Sequence, residues 1–101
     1  MIKSFSVSSG NANDFIKKVM DSLSGRELGK IASVALSGEN IIITFSKLGK
    51  SEVIFNLNKE TNGFKCIHAS EKISFAHKAF RSDMEDKLSK VFESNGAVVE
   101  I

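Results

Sequence analysis

The chain of 101 residues is 42% hydrophobic and 26% charged, and its formal net charge at pH 7 is +2. This length and composition predict a single domain over residues 1–101, with no room for a buried cleft between two domains. The near-balance of charge argues against a dedicated nucleic-acid binder, and no apolar run approaches the roughly 20 residues that a transmembrane helix needs.

The first two predicted elements are a strand and an amphipathic helix. Apolar and polar residues alternate over residues 3–7, which is the pattern of a half-buried strand. Asn13 is predicted to cap the helix, with Asp14 in the first turn where the helix dipole favours a carboxylate. Gly25 suits the end of this helix. One apolar stripe follows the helical period and consists of Phe15, Ile16, Val19, Met20 and Leu23.

Four strands are predicted in the middle of the chain. Their spacing is typical of an antiparallel meander that is covered on one side. The pair Asn62-Gly63 is the strongest hairpin signal between them. The predicted strands span residues 31–36, 41–45, 52–57 and 64–69.

A second helix is predicted within residues 74–94, with two alternatives for its start. The helix either begins near residue 74, or it begins at Ser82, because Ser82 and Glu85 match a capping box. In the second case residues 70–81 would form a loop. The apolar row at i+4 spacing consists of Ala76, Phe80, Met84, Leu88 and Phe92.

The predicted order of elements is therefore β-α-β-β-β-β-α-β. A curved antiparallel sheet with two helices packed on one face is the simplest arrangement that buries both apolar stripes, which places the chain in the α+β class. The β-prone segment at residues 97–101 closes the order. This segment could pair within the chain or across a homodimer.

Cys66 is the only cysteine of the chain, so an internal disulfide is excluded and a reducing, cytoplasmic location is favoured. Cys66 and His68 lie two residues apart on a predicted strand and share a face. With His77 they make at most three ligands, fewer than a structural zinc site uses. One alternative is that Cys66 and His68 line a small-ligand pocket between the sheet and the helices.

No catalytic motif is present in the sequence. No Ser–His–Asp order, carboxylate pair or glycine-rich cofactor fingerprint stands out. We therefore expect a protein that is not an enzyme, with no cofactor and no metal.

The most informative cluster lies near the start of the second helix. Phe75 and Phe80 are five residues apart, so one helix cannot direct both towards the core. An exposed phenylalanine beside Lys78 and Arg81 would suit a protein partner or an amphiphilic surface. Phe75, Lys78, Phe80 and Arg81 are therefore the predicted binding residues of a non-catalytic binding or adaptor domain.

A second alternative is weak binding of nucleic acid or another anionic partner. The residues would be Lys17 and Lys18 on the first helix, and Lys47 and Lys50 beside a turn. No aromatic side chain interleaves with these lysines to stack on bases, so nucleic acid is the less favoured partner.

The segment AFRSDMEDKLSKVF, residues 79–92, resembles the C-terminal helix of the small polyhydroxyalkanoic acid system proteins. The order of elements is similar as well, over residues 2–92. The residues that carry the resemblance are Ala79, Phe80, Arg81, Met84 and Leu88. The resemblance implies a non-enzymatic protein that is associated with hydrophobic storage granules or their regulation. Their amphiphilic surface would contact the apolar and basic cluster over residues 75–81.

Overall fold

The computed structural model describes every residue from Met1 to Ile101. It contains six strands and two helices in the predicted order, with two short 3₁₀ turns at Glu27–Lys30 and Phe75–His77. The elements are β1 (Ser4–Val7), α1 (Ala12–Leu23), β2 (Ala32–Ser37), β3 (Asn40–Ser46), β4 (Lys50–Lys59), β5 (Phe64–Lys72), α2 (Arg81–Ser94) and β6 (Ala97–Glu100).

The six strands form one antiparallel sheet in the order β2-β3-β4-β5-β1-β6. The sheet curls into a half-barrel, and both helices pack on its inner face. The N-terminal strand β1 lies between β5 and β6, so that Phe5 is opposite both Cys66 and Val99. The α+β prediction with a curved sheet is therefore confirmed.

The core consists of the inward-facing residues of the strands and the apolar stripes of both helices. Phenylalanine rings fill its centre: the ring centroids of Phe5 and Phe92 are 4.7 Å apart, and those of Phe5 and Phe55 are 5.2 Å apart. Tilted and edge-on contacts of this kind are favoured over face-to-face stacking. Phe5 of the first strand therefore packs against both the sheet and α2.

The predicted cap of α1 is wrong by two residues. Asn11 is the N-cap, because its side-chain Oδ1 accepts a hydrogen bond from the backbone N–H of Asp14 at 2.9 Å. Asn13, the predicted cap, lies inside the helix. Asn11 has the extended backbone that an N-cap needs, and an asparagine at either position gives the same sequence signal.

The helix α2 begins at Arg81, so the predicted start near residue 74 is wrong and the loop alternative is closer. Phe80 occupies the N-cap position without a side-chain cap. The predicted capping box does not form, because Ser82 lies within the first turn and Glu85 bonds to Arg81 instead. Neither helix is long and apolar enough to cross a membrane.

The two edge strands of the sheet, β2 and β6, differ in what contacts their outer sides. At the β2 edge, the backbone N–H of Val34 donates to the sulfur of Met20 on α1 at 3.4 Å. At the other edge, β6 pairs with β1 of the same chain, and no strand pairs with its outer side. The exposed side chains of Val98 and Ile101 lie on or beside this open edge.

Candidate functional site

A cleft of about 980 Å³ lies beside α2. Its floor is apolar and buried, and includes Leu28 from the first 3₁₀ turn and Met84 and Val91 from α2. Four separate segments form its walls. The complete lining is Arg26, Glu27, Leu28, Lys30, Ile31, Lys47, Leu48, Ala76, His77, Phe80, Asp83, Met84, Lys87 and Val91.

Three large apolar side chains are exposed at this end of the molecule, and we call them the rim. Leu48 and Phe80 line the cleft and are 85% and 62% exposed, and Phe75 is 88% exposed beside the lining residues Ala76 and His77. Single exposed apolar residues are common on protein surfaces, but a cluster beside a cleft is typical of an interaction site.

The buried side chain of His77 holds two parts of the rim together. Its Nε2–H donates to the carbonyl oxygen of Lys47 at 2.5 Å, and its Nδ1 accepts from the Ser51 hydroxyl at 2.6 Å. This tautomer follows because a carbonyl oxygen only accepts. Ser51 Oγ in turn accepts from the backbone N–H of Ser74 at 2.8 Å. The β3–β4 turn and the second 3₁₀ turn are thus joined by three hydrogen bonds.

The Ser51–His77 pair differs from a catalytic dyad in the burial and the hydrogen bonding of its hydroxyl. Ser51 is buried, and its hydroxyl donates to His77 and accepts from the backbone N–H of Ser74. The second ring nitrogen of His77 bonds to a backbone carbonyl, and no carboxylate orients the ring. The contact is therefore structural.

Leu48 has an unusual backbone as well as an exposed side chain. Its φ is 56°, and it is the only residue other than glycine with a positive φ. A bulky residue in this left-handed region carries a cost of order 1 kcal/mol or more, and such strain is found most often at functional sites. The next residue, Gly49, has φ 142°, and a Cβ atom there would clash with the side chain of Ser74.

Basic side chains outnumber acidic ones around the cleft. Two of the bases are neutralised: Lys30 pairs with Glu27 at 3.1 Å, and Lys87 pairs with Asp83 at 3.0 Å. Arg26 and Lys47 form no ion pair. The Arg26 guanidinium uses only its Nε–H, which donates to the carbonyl oxygen of Ser22 at 3.1 Å. The cleft therefore combines an apolar floor with two positive charges that have no acidic partner.

The four predicted binding residues lie in two different settings. Phe75, Lys78 and Phe80 are exposed, and the Lys78 ammonium is 5.6 Å from the centre of the Phe75 ring. Arg81 is half-buried and bonds to two carboxylates, those of Glu71 on β5 and Glu85 on α2. The N–H groups of Arg81 are largely occupied by these two carboxylates. Arg81 therefore helps to hold the start of α2 against β5.

The hydrogen bonds between Arg81 and Glu71 shift the pKa of both groups. A hydrogen bond from the Arg81 guanidinium lowers the pKa of the Glu71 carboxyl, and the same bond raises the pKa of Arg81. Glu71 also contacts His68, whose Nε2 lies 2.8 Å from the Glu71 carboxylate. A chain of polar contacts thus runs from His68 through Glu71 and Arg81 to the buried Glu85.

The properties of Cys66 count against a small-ligand pocket lined by Cys66 and His68. Cys66 is fully buried, and burial raises the pKa of its thiol to about 12, so it is unreactive at neutral pH. Neither residue lines the large cleft. His77 is held by Ser51 and Lys47 instead, and no three His, Cys, Asp or Glu side chains lie close enough together to bind a metal ion.

The four lysines predicted for an anionic partner lie in two pairs on different parts of the fold. Lys17 and Lys18 are exposed on α1, whereas Lys47 and Lys50 flank the β3–β4 turn. Lys47 lines the cleft together with Arg26.

Sequence reasoning also missed Leu48 and Ser51. One available signal was the leucine in the otherwise polar and glycine-containing turn Lys47-Leu48-Gly49-Lys50. Turns of this length normally carry polar residues or glycine at such positions. Nothing in the local sequence marks the Ser51–His77 contact, because the two residues are 26 positions apart.

The comparisons with known proteins add no relative to this description. No family model matches the chain, and neither the curated proteins nor the solved structures contain a match. The fold and the cleft define an α+β half-barrel domain with one amphiphilic end.

Proposed function

We propose that this protein is a non-catalytic binding domain that attaches to an amphiphilic surface through the rim. The observation that carries the proposal is the exposure of Leu48, Phe75 and Phe80 at one end of the fold. The strained backbone of Leu48 adds to it, because this residue is held outward at a cost to stability.

The energetics of the rim suit reversible attachment. Full burial of a leucine or phenylalanine side chain contributes roughly 1.5–3 kcal/mol, so three such residues provide enough for a measurable affinity. Lys47 and Lys78 flank the rim and carry no ion pair. Each lysine near an anionic surface adds about 1 kcal/mol. The favoured target is therefore an apolar surface that carries negative charge.

The resemblance of residues 79–92 to the polyhydroxyalkanoic acid system proteins suggests which surface this is. Hydrophobic storage granules present an amphiphilic boundary of the required kind. A cytoplasmic location would agree with such a role, and the unpaired thiol of Cys66 is the supporting observation. We propose the granule surface as the natural target.

The proposal is tested by cosedimentation with vesicles of phosphatidylcholine containing phosphatidylglycerol. The Leu48→Ser/Phe75→Ser variant is expected to lose binding at an unchanged melting temperature, because both side chains are exposed. Ile67→Ser is the matched control, since Ile67 is exposed and does not line the cleft. Equal binding by wild type and the rim variant, or no binding by wild type, would contradict the proposal.

A salt titration separates this function from nucleic-acid binding. Attachment through the rim is expected to persist in part at high salt, because burial of apolar surface is not screened. Binding to an oligonucleotide through Lys17, Lys18, Lys47 and Lys50 would fall steeply with salt and would survive the loss of Phe75.

A second proposal concerns self-association through β6. The open outer side of this strand supports it, because unpaired strand edges favour pairing with another chain. Two copies would pair their β6 strands and extend the sheet across a homodimer. Sedimentation equilibrium is expected to give a dimer for wild type and a monomer for Val98→Lys. A monomeric wild type at high concentration would remove this proposal.

A further inference from the structure

The cleft below the rim has properties that surface attachment does not require. Its floor is built from the buried residues Leu28, Met84 and Val91, and it lies along α2 from Phe80 to Val91. At a rise of 1.5 Å per residue this part of the helix is about 16 Å long. A flat apolar surface would contact the rim and leave the floor of the cleft empty.

We infer that the cleft is a binding site for a single-chain amphiphile with one anionic group, of the fatty-acid class. The inference goes beyond the proposed function, because a soluble ligand of this class would bind without any surface. The chain would lie on the apolar floor, and the anionic group would lie between Arg26 and Lys47.

The charges of the lining favour an anion over a neutral ligand. Of the four bases in the lining, Lys30 and Lys87 are paired with Glu27 and Asp83, and only Arg26 and Lys47 are free of acidic partners. An arginine with free terminal N–H groups bonds a carboxylate in a planar, bidentate geometry. The Arg26 guanidinium has these groups available, since only its Nε–H is used.

The volume of the cleft favours a ligand with a single alkyl chain over a peptide helix. An α-helix with its side chains is about 10–12 Å wide, so a 16 Å length of it occupies roughly 1,300–1,800 Å³. The cleft measures about 980 Å³, within the range of small-molecule sites. An acidic helix would therefore rest on the rim without reaching the floor.

The direct test is isothermal titration of the whole chain with decanoate, at concentrations where decanoate is monomeric. The Ala76→Phe variant fills the cleft from an exposed lining position, and Ala76→Ser is its matched control. We expect binding by wild type and Ala76→Ser, and at least a tenfold weaker affinity for Ala76→Phe. Vesicle binding by Ala76→Phe should remain, because the rim is intact.

The role of the charge is tested with Arg26→Gln, which does not depend on the folding of the Ala76 variant. The affinity for decanoate should fall by roughly tenfold, in line with the loss of a charge-assisted hydrogen bond. The affinity for neutral 1-decanol should be unchanged by the same substitution.

Each contrary result identifies a different error. No decanoate binding by wild type, or equal binding by Ala76→Phe, would overturn the ligand site while leaving surface attachment intact. Binding of an acidic amphipathic peptide in place of decanoate would overturn it in favour of a protein partner. Loss of vesicle binding by Phe75→Ser together with normal decanoate binding would support both proposals independently, since Phe75 does not line the cleft.

Discussion

Replacement of Arg81 by methionine should be among the most destabilising changes at this end of the fold. The Arg81 guanidinium bonds to Glu71 and Glu85, and Glu85 is only 4% exposed. Methionine keeps much of the apolar stem and removes the charge, so the buried Glu85 carboxylate loses its partner. Breaking a fully buried ion pair costs about 3–5 kcal/mol. Because the Arg81 side chain is 21% exposed, we expect a smaller loss of about 2–3 kcal/mol.

Urea denaturation at pH 7 measures this loss as a lower midpoint at an unchanged slope. For a domain of this size the melting temperature should fall by about 10–20 °C, at roughly 4–8 °C per kcal/mol. The double variant Arg81→Met/Glu85→Gln should recover part of the loss, because the buried group is then neutral. Lys78→Met is the control, with an expected change within about 0.5 kcal/mol since Lys78 is exposed. A loss below 0.5 kcal/mol for Arg81→Met would refute the reasoning.

Arg81→Met should also change how the free energy of unfolding depends on pH. Arg81 lowers the pKa of Glu71 in the folded state below its ordinary value of 4.5. As the pH falls, the Glu71 carboxyl is therefore protonated in the unfolded state before it is protonated in the folded state. The stabilisation by the Arg81–Glu71 contact is fully present above about pH 4.5. It is lost as the pH drops through the lower folded pKa. The stability difference between wild type and Arg81→Met should accordingly narrow in acid, and a constant difference down to pH 2 would contradict this.

Three further predictions concern Cys66, Leu48 and Ser51. The Cys66 thiol, buried and with its pKa raised to about 12, should resist a disulfide reagent in the native protein and react fully in urea, so rapid native labelling would contradict its burial. Leu48→Gly should raise the free energy of unfolding by about 0.5–1 kcal/mol through relief of its positive φ, while vesicle binding weakens. Ser51→Ala should lower stability by about 2 kcal/mol in urea melts, because the His77 ring and the Ser74 N–H lose their partner. An unchanged midpoint would show that the Ser51–His77 contact is dispensable.

Much of the fold was predictable because it depends on local patterns. The alternation of side chains along β3 and β4 reproduces the buried and exposed faces of the sheet. The start of α2 was harder, because Arg81 and Glu85 form a contact that competes with the capping box of Ser82 and Glu85. Both patterns are present in the sequence, and in the structure Arg81 bonds to Glu71 on β5 as well as to Glu85.

The candidate site was predictable only in part, for a geometric reason. The spacing of Phe75 and Phe80 indicated that one helix could not bury both, but the structure exposes both, because α2 begins at Arg81 and neither residue lies within it. The cleft beside them brings together Leu28, Leu48 and Met84, which come from three distant segments. Local periodicity carries no information on such contacts. The positions of Arg26 and Leu48 at the cleft therefore emerge only from the tertiary structure.

The hydrogen bonds of His77 have a consequence for how the rim would engage its target. They connect the turn that carries Leu48 to the segment that carries Phe75, so the backbone at both positions belongs to one hydrogen-bonded unit. The second anchor is therefore already in place when the first makes contact. The conformational entropy of the connecting backbone is lost during folding and not during attachment, which would raise the affinity without adding any contact area. Disruption of the His77 bonds would leave two independent, mobile anchors that bind the same surface more weakly.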